Sequence, residues 1–410
     1  MTEVGEFVVA RLGAQGDGVT ESRGKQVFLP FALAGERVRA TILGESGELL
    51  EVLTPSPDRV QPVCRHFTAC GGCAVQHLAE NAYALWKRET VVSAFRSRGL
   101  DAPVSALISP SGLRRRAVFS AKKISDRVFL GFHEGGSERV IDIEECPILE
   151  PKIVAALSGL RLLIAPFVLA KEQGRLAVTL TDGGLDVAYD GSASRLAPAQ
   201  RAVLANSASR LDLARLSFAG DPVFEARPAT LQFGPATINI PPASFIQALA
   251  GAERQIVELI LAGLGKVKSV ADLFSGAGAF AFPIATKARV SSFDADADAV
   301  RAMNNAVKRT RGIKPVTAQV RDLFLEPLSA LELNEHDAIV FDPPRAGADA
   351  QCRMIAKSKV KTVIAVSCNP ATLARDARTL IDGGYILDKV TPIDQFRYSS
   401  HVEAVCIFHR

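Results

Sequence analysis

The segment Ser269-Val-Ala-Asp-Leu-Phe-Ser-Gly-Ala-Gly278 decides the fold of this chain. Its first part is a short apolar run, Ser269–Phe274, and its glycines let the backbone approach a bound molecule closely and then enter a helix. Similar apolar runs alternate with helical segments further along, at Val290–Phe293, Ala338–Phe341 and Thr362–Val366. This alternation predicts a doubly wound parallel sheet, in which ligands bind beyond the carboxyl ends of the strands. The residues that directly follow these runs are therefore the candidates for chemistry.

The turn after the first strand contains two glycines, Gly276 and Gly278, and lacks the third glycine of the spacing that cradles a pyrophosphate. Asp294 ends the second run, where its carboxylate could accept hydrogen bonds from both ribose hydroxyls of a nucleoside. Asp322 follows the next strand, Val316–Val320, and would lie beside an adenine. The pattern resembles the S-adenosylmethionine site of class I methyltransferases more than a dinucleotide site. A structural glycine turn in another α/β domain is the alternative.

Cys368 follows the fourth strand, in the segment Val366-Ser-Cys-Asn-Pro-Ala-Thr372. A helix is expected to start around Pro370, and a helix N-terminus lowers the pKa of a nearby thiol and favours the nucleophilic thiolate. Prolines also follow the third strand, in Asp342-Pro-Pro-Arg345, and such prolines hold a loop rigid at a site. We interpret Cys368 as a chemically active residue. A small buried thiol without a chemical role is the alternative.

The Asp-Pro-Pro segment has a second interpretation, the methylation of an amino group of adenine or cytosine. Enzymes of that kind usually place an aromatic residue after the prolines, whereas Arg345 occupies that position here. Because a separate cysteine segment follows, attack on a pyrimidine ring is favoured.

Glu403 lies near the start of the last predicted strand and could reach the same sheet edge as a general base. A surface glutamate is the alternative for that residue.

Together these segments resemble the RNA uridine-5-methyltransferase family, which includes the bacterial tRNA and 23S rRNA 5-methyluridine enzymes. One departure is visible, because the family often has Cys where Ser275 stands. The resemblance covers essentially the whole C-terminal domain in the right order, and the string around Cys368 is its most specific part. It runs through Ser244-Phe-Ile-Gln247, Asp272–Gly278, Asp342–Gly347, Ser367–Asp376 and His401-Val-Glu403.

The resemblance implies a role for each matching residue. Cys368 would attack carbon 6 of the uracil, which places electron density on carbon 5 and lets it take a methyl group. Glu403 would then remove the proton from carbon 5. A target inside a folded RNA would have to be flipped out of its stack. The residues implied to hold S-adenosylmethionine, or to position it with the base, are Gln247, Asp272, Phe274, Gly276, Gly278, Asp294, Asp322 and Asp342.

A cysteine cluster lies far from these segments. Cys64, Cys70 and Cys73 fall within ten residues, and Cys146 follows much later, before Pro147. Four thiolates suggest a metal site, with zinc as the default for a structural site and unligated buried thiols as the alternative. The Cys-Gly-Gly-Cys and Cys-Pro segments resemble the rRNA members of the family, which contain a [4Fe–4S] cluster. The tRNA members generally lack this cluster. The resemblance to the rRNA members therefore implies an iron–sulfur cluster here.

We predict a multi-domain protein with three domains. Residues 1–56 alternate short strands with glycine turns, which predicts a small β-barrel that resembles the TRAM domain, an RNA-binding module of the oligonucleotide-binding (OB) type. Residues 57–240 predict a central α+β domain that contains the cysteine cluster, and residues 241–410 predict the Rossmann-like class I methyltransferase domain. Five basic residues between Gly112 and Lys123 would join the barrel and the cluster in an RNA surface, unless they form only a solvated strand face.

Composition narrows the biological setting. The 410 residues are 48% hydrophobic with a net charge of +4, and no apolar run approaches the roughly 20 residues that span a bilayer. The acidic start lacks the pattern of a signal peptide, so we expect a cytoplasmic protein that needs no membrane partner and acts as a monomer. In that reducing compartment the seven cysteines are ligands, catalysts or buried thiols rather than disulfides.

The predicted function is the methylation of carbon 5 of a uridine in RNA, with 23S rRNA as the expected substrate. Two alternatives remain from the sequence. One is a tRNA uridine-54 5-methyltransferase. The other is a catalytically silent iron–sulfur RNA-binding protein, against which the Cys368 and Glu403 pair argues, because an inactive relative would be free to lose either residue.

Overall fold

The computed structural model describes residues 3–169, 172–191 and 196–410 of the chain. In these residues the chain forms an N-terminal sheet, a central sheet, a short hairpin and a C-terminal sheet. No helix within the described ranges is both long and apolar enough to cross a membrane.

The N-terminal sheet has the strand order β1-β5-β6-β4-β3-β2. It curves back on itself, as shown by the hydrogen bond of 2.8 Å from the Thr20 hydroxyl in β3 to the carbonyl of Val8 at the end of the edge strand β1. Its small core includes Val27, Leu29 and Val38. A curved sheet is what the barrel prediction requires, and the closer likeness to a TRAM or OB barrel stays a prediction. The strands are β1 (Glu3–Val8), β2 (Arg11–Leu12), β3 (Gly18–Ser22), β4 (Lys25–Leu29), β5 (Arg37–Leu43) and β6 (Ser46–Thr54).

The central sheet has the order β13-β12-β11-β10-β7-β8-β9, and two helices, α2 and α3, cover one of its faces. The opposite face presents polar and basic side chains, because strand residues alternate between the two faces. The elements are α1 (Glu80–Arg96), β7 (Arg116–Ile124), β8 (Arg127–His133), β9 (Val140–Asp142), α2 (Pro151–Ile164), β10 (Gln173–Thr181), β11 (Gly184–Asp190), α3 (Pro198–Arg210), β12 (Arg215–Phe218) and β13 (Asp221–Glu225).

A hairpin, β14 (Thr230–Phe233) and β15 (Ala236–Asn239), leads into the C-terminal domain, whose sheet has the order β18-β17-β16-β19-β20-β22-β21. The first five strands in that order are parallel and confirm the doubly wound prediction, whereas β22 is antiparallel to both of its neighbours. The remaining elements are α4 (Ala250–Leu264), β16 (Ser269–Leu273), α5 (Ala281–Ala285), β17 (Arg289–Asp294), α6 (Ala297–Val307), β18 (Val316–Val320), α7 (Ala330–Leu333), β19 (Ala338–Phe341), α8 (Asp349–Lys357), β20 (Thr362–Ser367), α9 (Pro370–Asp382), β21 (Ile386–Ile393) and β22 (Glu403–His409).

The central strands of this sheet are buried throughout because helices cover both of its faces. β16 and β19 are buried at every position, which is typical of parallel strands between two helical layers. The predicted strand Ala338–Phe341 has the observed bounds, and the other three predicted runs agree to within one residue at each end. The helix expected around Pro370 is α9.

Helix α1 packs on the C-terminal domain, although it precedes the central sheet in sequence. Its residues Val91 and Phe95 belong to the same apolar cluster as Ile339, Leu373 and Leu380 of the C-terminal domain. The following segment forms bridges to β21 through Val104 and Ile108. In packing terms, α1 is therefore part of the layer of helices that covers the methyltransferase sheet.

Candidate active site

A cavity of about 490 Å³ opens at the carboxyl edge of the C-terminal sheet. The loops that follow β16, β17, β18, β19 and β20 contribute to its wall, as the strand order requires. Most of the residues singled out from the sequence line it together: Gln247, Phe274, Gly276, Asp294, Asp322, Asp342, Cys368 and Glu403. The structure thus brings the candidate cofactor residues and the candidate catalytic pair into one cavity.

The glycine turn forms one end of this cavity. Gly276 has a φ of 53°, a conformation that favours glycine, and its N–H donates a hydrogen bond of 2.7 Å to Oδ2 of Asp294. Phe274 has a φ of 59° without being glycine, so its backbone is strained beside the cavity. Its ring lies 5.4 Å from the ring of Phe324, and both rings line the wall. A carboxylate fixed by the turn and an aromatic pair suit the ribose and the adenine of a nucleoside cofactor.

Two predicted cofactor residues do not line the cavity. Asp272 lies inside β16 with 1% of its surface exposed, and neither of its carboxylate oxygens accepts a hydrogen bond from the described residues. Burial, together with Asp342 and Asp294, raises the pKa of Asp272 well above its usual value. Gly278 has a φ of 96°, and a Cβ atom there would lie 2.8 Å from the Phe282 ring. Gly278 therefore shapes the turn, and Asp272 lies behind the wall.

A chain of buried side-chain hydrogen bonds crosses the floor of the site. Gln247 donates from Nε2 to Oδ2 of Asp342 at 2.9 Å. Nε2 of Gln395 donates both to Oε1 of Gln247 at 2.7 Å and to Oε2 of Glu403 at 2.9 Å. Gln395 was not singled out from the sequence. It lies two residues beyond the end of β21, so the rule that favours residues just past a strand, applied to this strand as well, would have found it.

The two acidic residues in this chain of hydrogen bonds, Glu403 and Asp342, have raised pKa values. Burial, and then the nearby Asp342, raise the pKa of Glu403 well above its usual value, and the hydrogen bond from Gln395 opposes the change. Burial raises the pKa of Asp342 to about 7 against the hydrogen bond from Gln247. Oε1 of Glu403 accepts no hydrogen bond from the described residues. Glu403 is thus a buried carboxyl group with one oxygen available and a strong tendency to hold a proton.

The thiol of Cys368 does not have the lowered pKa that its place before a helix predicted. Burial, then Glu403 and Asp342, raise its pKa to about 12, and only Arg345 among the nearby charged groups lowers it. The N-terminus of helix α9 does not offset this rise in the pKa of Cys368. The helix begins beyond Asn369, and the side chain of Asn369 already accepts a hydrogen bond from the N–H of Ala371. Arg345 is held beside the thiol by its carbonyl, which accepts a hydrogen bond of 2.9 Å from Asn369.

Comparisons with known proteins agree with this geometry. Residues 237–410 match the family model described as tRNA (Uracil-5-)-methyltransferase. An RNA methyltransferase of Brucella suis that is named as uncharacterized is 45% identical over 407 residues, which cover 99% of this chain and 98% of that protein. The 23S rRNA (uracil(1939)-C(5))-methyltransferase RlmD of Halomonas elongata is 32% identical over 430 residues, which cover 98% of this chain and 89% of the relative. The chain belongs to the RNA uracil-5-methyltransferase family.

The fold of this methyltransferase is also found in a solved structure. The Pyrococcus abyssi tRNA (uracil-54, C5)-methyltransferase in complex with S-adenosyl-L-homocysteine has a TM-score of 0.75 and 20% sequence identity, and the match covers 99% of this chain and 100% of that chain. Family membership confirms the resemblance found in the sequence and the predicted enzyme class, with S-adenosylmethionine as the methyl donor. The cavity residues fit that donor, because they combine a turn-bound Asp294, a second acid at Asp322 and the aromatic pair.

The four clustered cysteines of this methyltransferase line a second, smaller cavity. Burial and the neighbouring thiols raise the pKa of Cys73 to about 12 and that of Cys146 to about 11, and a hydrogen bond from Gln76 or from the backbone opposes each change. In the described parts of the chain, no three or more His, Cys, Asp or Glu residues converge on the position of a single metal ion. The four thiols thus share one cavity, and the group that they would hold stays a prediction.

Proposed function

We propose that this methyltransferase modifies carbon 5 of a uridine in 23S rRNA, with Cys368 as the covalent nucleophile and Glu403 as the base. The observation that carries the proposal is the common cavity that Cys368 and Glu403 line with the candidate cofactor residues. The choice of RNA follows the whole-chain relative that is named for 23S rRNA. The choice of uracil follows the family.

The side chains of the site divide the chemistry between them. When bound, S-adenosylmethionine supplies an electrophilic methyl group. Sγ of Cys368 forms a bond to carbon 6 of the uracil, and the resulting enolate makes carbon 5 nucleophilic. After carbon 5 has gained the methyl group, Glu403 removes the carbon-5 proton and the Cys368–carbon 6 bond breaks, which restores the ring. Arg345 favours the thiolate form of Cys368 before attack.

A basic sheet face supports an RNA substrate. Arg116 and Lys122 of β7 share the uncovered face of the central sheet with Arg175 of β10, which is paired with Ser120. Within the described residues none of these three side chains forms a salt bridge. Arg116 also donates hydrogen bonds to the carbonyls of Ala243 and Ser244, beside the mouth of the cavity. We propose that an RNA strand leaves the active site over this face and that residues 1–56 form a further RNA-binding module.

The variant Glu403→Gln tests the mechanism. An amide keeps the shape of the side chain but cannot accept the carbon-5 proton, so attack by Cys368 and methyl transfer still occur while elimination slows by roughly 10²–10⁴-fold. Methylated RNA then stays attached to the protein and gives a slowly migrating band on a denaturing gel. The double variant with Cys368→Ala is the control and loses the band. Wild-type turnover by Glu403→Gln without a band would show that another group takes the proton.

The RNA substrate is tested by mapping 5-methyluridine in 23S rRNA and in tRNA from a strain that lacks this protein. The proposal expects one 5-methyluridine to disappear from 23S rRNA and to return when the purified protein and S-adenosylmethionine are added. Loss of the modification from tRNA uridine 54 would assign the chain to the alternative substrate.

We also propose that Cys64, Cys70, Cys73 and Cys146 hold a [4Fe–4S] cluster. Protein purified without oxygen is then expected to be brown and to contain about four irons per chain. Changing any one of the four cysteines to Ser should remove the iron. Cys352→Ser and Cys406→Ser should retain it, since both residues are buried in the C-terminal domain. A colourless protein with one zinc would contradict the proposal.

A further inference from the structure

A third cavity, of about 230 Å³, lies between the cysteine cavity and the active site. It shares Ile148 with the wall of the cysteine cavity and contains Gln395, the residue that binds Glu403. Much of its lining is apolar and comes from the segments before α1 and β7 and from the loop after β21. The apolar lining residues include Val63, Leu113, Pro147, Ile148 and Leu249, and Asp394 and Arg397 add charged side chains.

Two buried polar atoms of the lining residues have no partner. Oε1 of Gln395 accepts no hydrogen bond and Nε of Arg114 donates none within the described residues, although Gln395 has only 1% of its surface exposed. An unpartnered buried polar group costs roughly 1–3 kcal/mol, so such atoms call for an explanation. One is an acceptor and the other is a donor. A ligand that satisfies both must therefore present a donor as well as an acceptor.

We propose that this cavity binds a second nucleobase of the RNA substrate, one that lies near the target uridine. Every nucleobase has an edge with a donor beside an acceptor, whereas a phosphodiester has no hydrogen to offer Gln395. The volume is below the roughly 300 Å³ at which sites for drug-sized molecules begin, which suits a single flat base between apolar walls. Sequence-specific proteins commonly hold unstacked RNA bases in this way. The proposal rests on the proposed function.

The contacts of Arg114 and Gln395 connect this base site to the catalytic one. The guanidinium of Arg114 lies 5.9 Å from the ring of Phe396, which lines the active-site cavity. Gln395 precedes Phe396 and donates to Glu403. A base held against Arg114 and Gln395 would therefore steady the loop on which the catalytic hydrogen bonds depend.

The test fills the cavity without touching the catalytic residues. Ser109 is exposed, lines the cavity and forms no side-chain hydrogen bond in the described structure, so Ser109→Trp introduces bulk, with Ser109→Ala as the matched control. Val63→Trp, from the opposite part of the lining, is an independent second variant, because Val63 is 64% exposed. We expect both Trp variants to lower kcat/KM for RNA by about 10–100-fold, the range for losing one stacked base, while S-adenosylmethionine binding is unchanged. Ser109→Ala should behave as the wild type.

An abasic scan identifies the occupant. An RNA fragment that the wild-type protein methylates is prepared with an abasic nucleotide at each position near the target in turn. One position should cost the wild type about 10–100-fold, and the same change should cost Ser109→Trp almost nothing, because both changes remove one interaction. The base site would be overturned if each abasic position lowered kcat/KM equally in the wild type and in both Trp variants. It would also be overturned if the Trp variants had a normal kcat/KM. A wild-type protein that methylates no uridine would instead contradict the proposed function.

Discussion

The buried carboxyl group of Asp272 makes the free energy of unfolding of this protein depend on pH. It lies in the middle of the C-terminal sheet, close to Asp342 and Asp294, and neither of its oxygens has a hydrogen-bond partner among the described residues. Its pKa is raised, so the folded state favours the neutral form. The stability that this preference contributes is present below the pKa of the unfolded chain, about 3.9, and is lost as the pH rises through the folded-state pKa.

We predict that Asp272→Asn makes the protein more stable than the wild type, by an amount that grows with pH. The amide cannot ionise, and one unit of pKa change is worth about 1.4 kcal/mol, so a gain of at least about 1 kcal/mol is expected at pH 8 and almost none at pH 4. Denaturant unfolding at several pH values measures it.

The matched control for this prediction is Asp337→Asn, at the residue that directly precedes β19. The pKa of Asp337 is lowered by hydrogen bonds from the N–H groups of Lys268 and Ser269. That variant should therefore lose stability at neutral pH, and the difference should shrink as the pH falls through the folded-state pKa. A gain from Asp272→Asn that is the same at every pH would rule out ionisation as its cause.

At the scale of elements, helix α1 holds the catalytic loop 394–401 in place. Lys87 is fully buried and pairs with Asp394 at 3.2 Å, and its ammonium also donates to the carbonyls of Phe396 and His401. The hydroxyl of Tyr83, one turn earlier, donates to Asp394 at 2.8 Å and accepts from the N–H of Tyr398. The loop that positions Gln395 and Phe396 is thus fastened by a helix from the other end of the chain.

We predict that Lys87→Met destabilises the protein by about 3–5 kcal/mol, because it leaves Asp394 as an unpaired buried charge. Adding Asp394→Asn should recover most of that loss, since the amide no longer needs a counter-ion. Leu85→Met, on the 67% exposed face of the same helix, is the control and should have little effect. Urea unfolding of the four proteins measures these differences. If the double variant is no more stable than Lys87→Met, the buried charge is not the cause.

These elements also show what the sequence could and could not predict. The parallel strands β16, β17, β19 and β20 were predictable because each is a short apolar run followed by a turn or a proline, and both signals are local. The role of α1 was not, because Tyr83 and Asp394 are 311 residues apart and no local pattern connects them. The hydrogen bond from Gln395 to Glu403 depends on the antiparallel pair β21 and β22, which the alternating pattern does not specify. The raised pKa of Cys368 depends on Glu403 and Asp342, which only the folded chain brings near it.

At the scale of the whole molecule, the active site and the basic face form one continuous RNA surface in our proposal. Burial, and then the nearby charges of Arg114 and Arg175, lower the pKa of Arg116, so these guanidinium groups lie near one another. Clustered positive charges repel one another, and a polyanion that binds across them relieves the repulsion. RNA is such a polyanion, and it releases counterions when it binds.

We predict that Lys122→Glu and Arg175→Glu each weaken RNA binding without changing the affinity for S-adenosylmethionine. If each residue contacts one phosphate, the slope of log K against log salt concentration should fall by about 1 for each variant. Lys308→Glu is the control, since it makes the same change of charge on an exposed residue at the far end of α6. A slope that falls equally in Lys308→Glu would mean that only the total charge of the protein matters.

The dependence of loop 394–401 on α1 also limits how such an enzyme can evolve. The family model covers residues 237–410, yet the loop inside that region is anchored by Tyr83 and Lys87, which lie outside it. A gene fusion that carried only the matched region into another protein would leave Asp394 without either partner. Domain shuffling could therefore move this region only together with its distant helix, so the unit of inheritance is larger than the region that the family model covers.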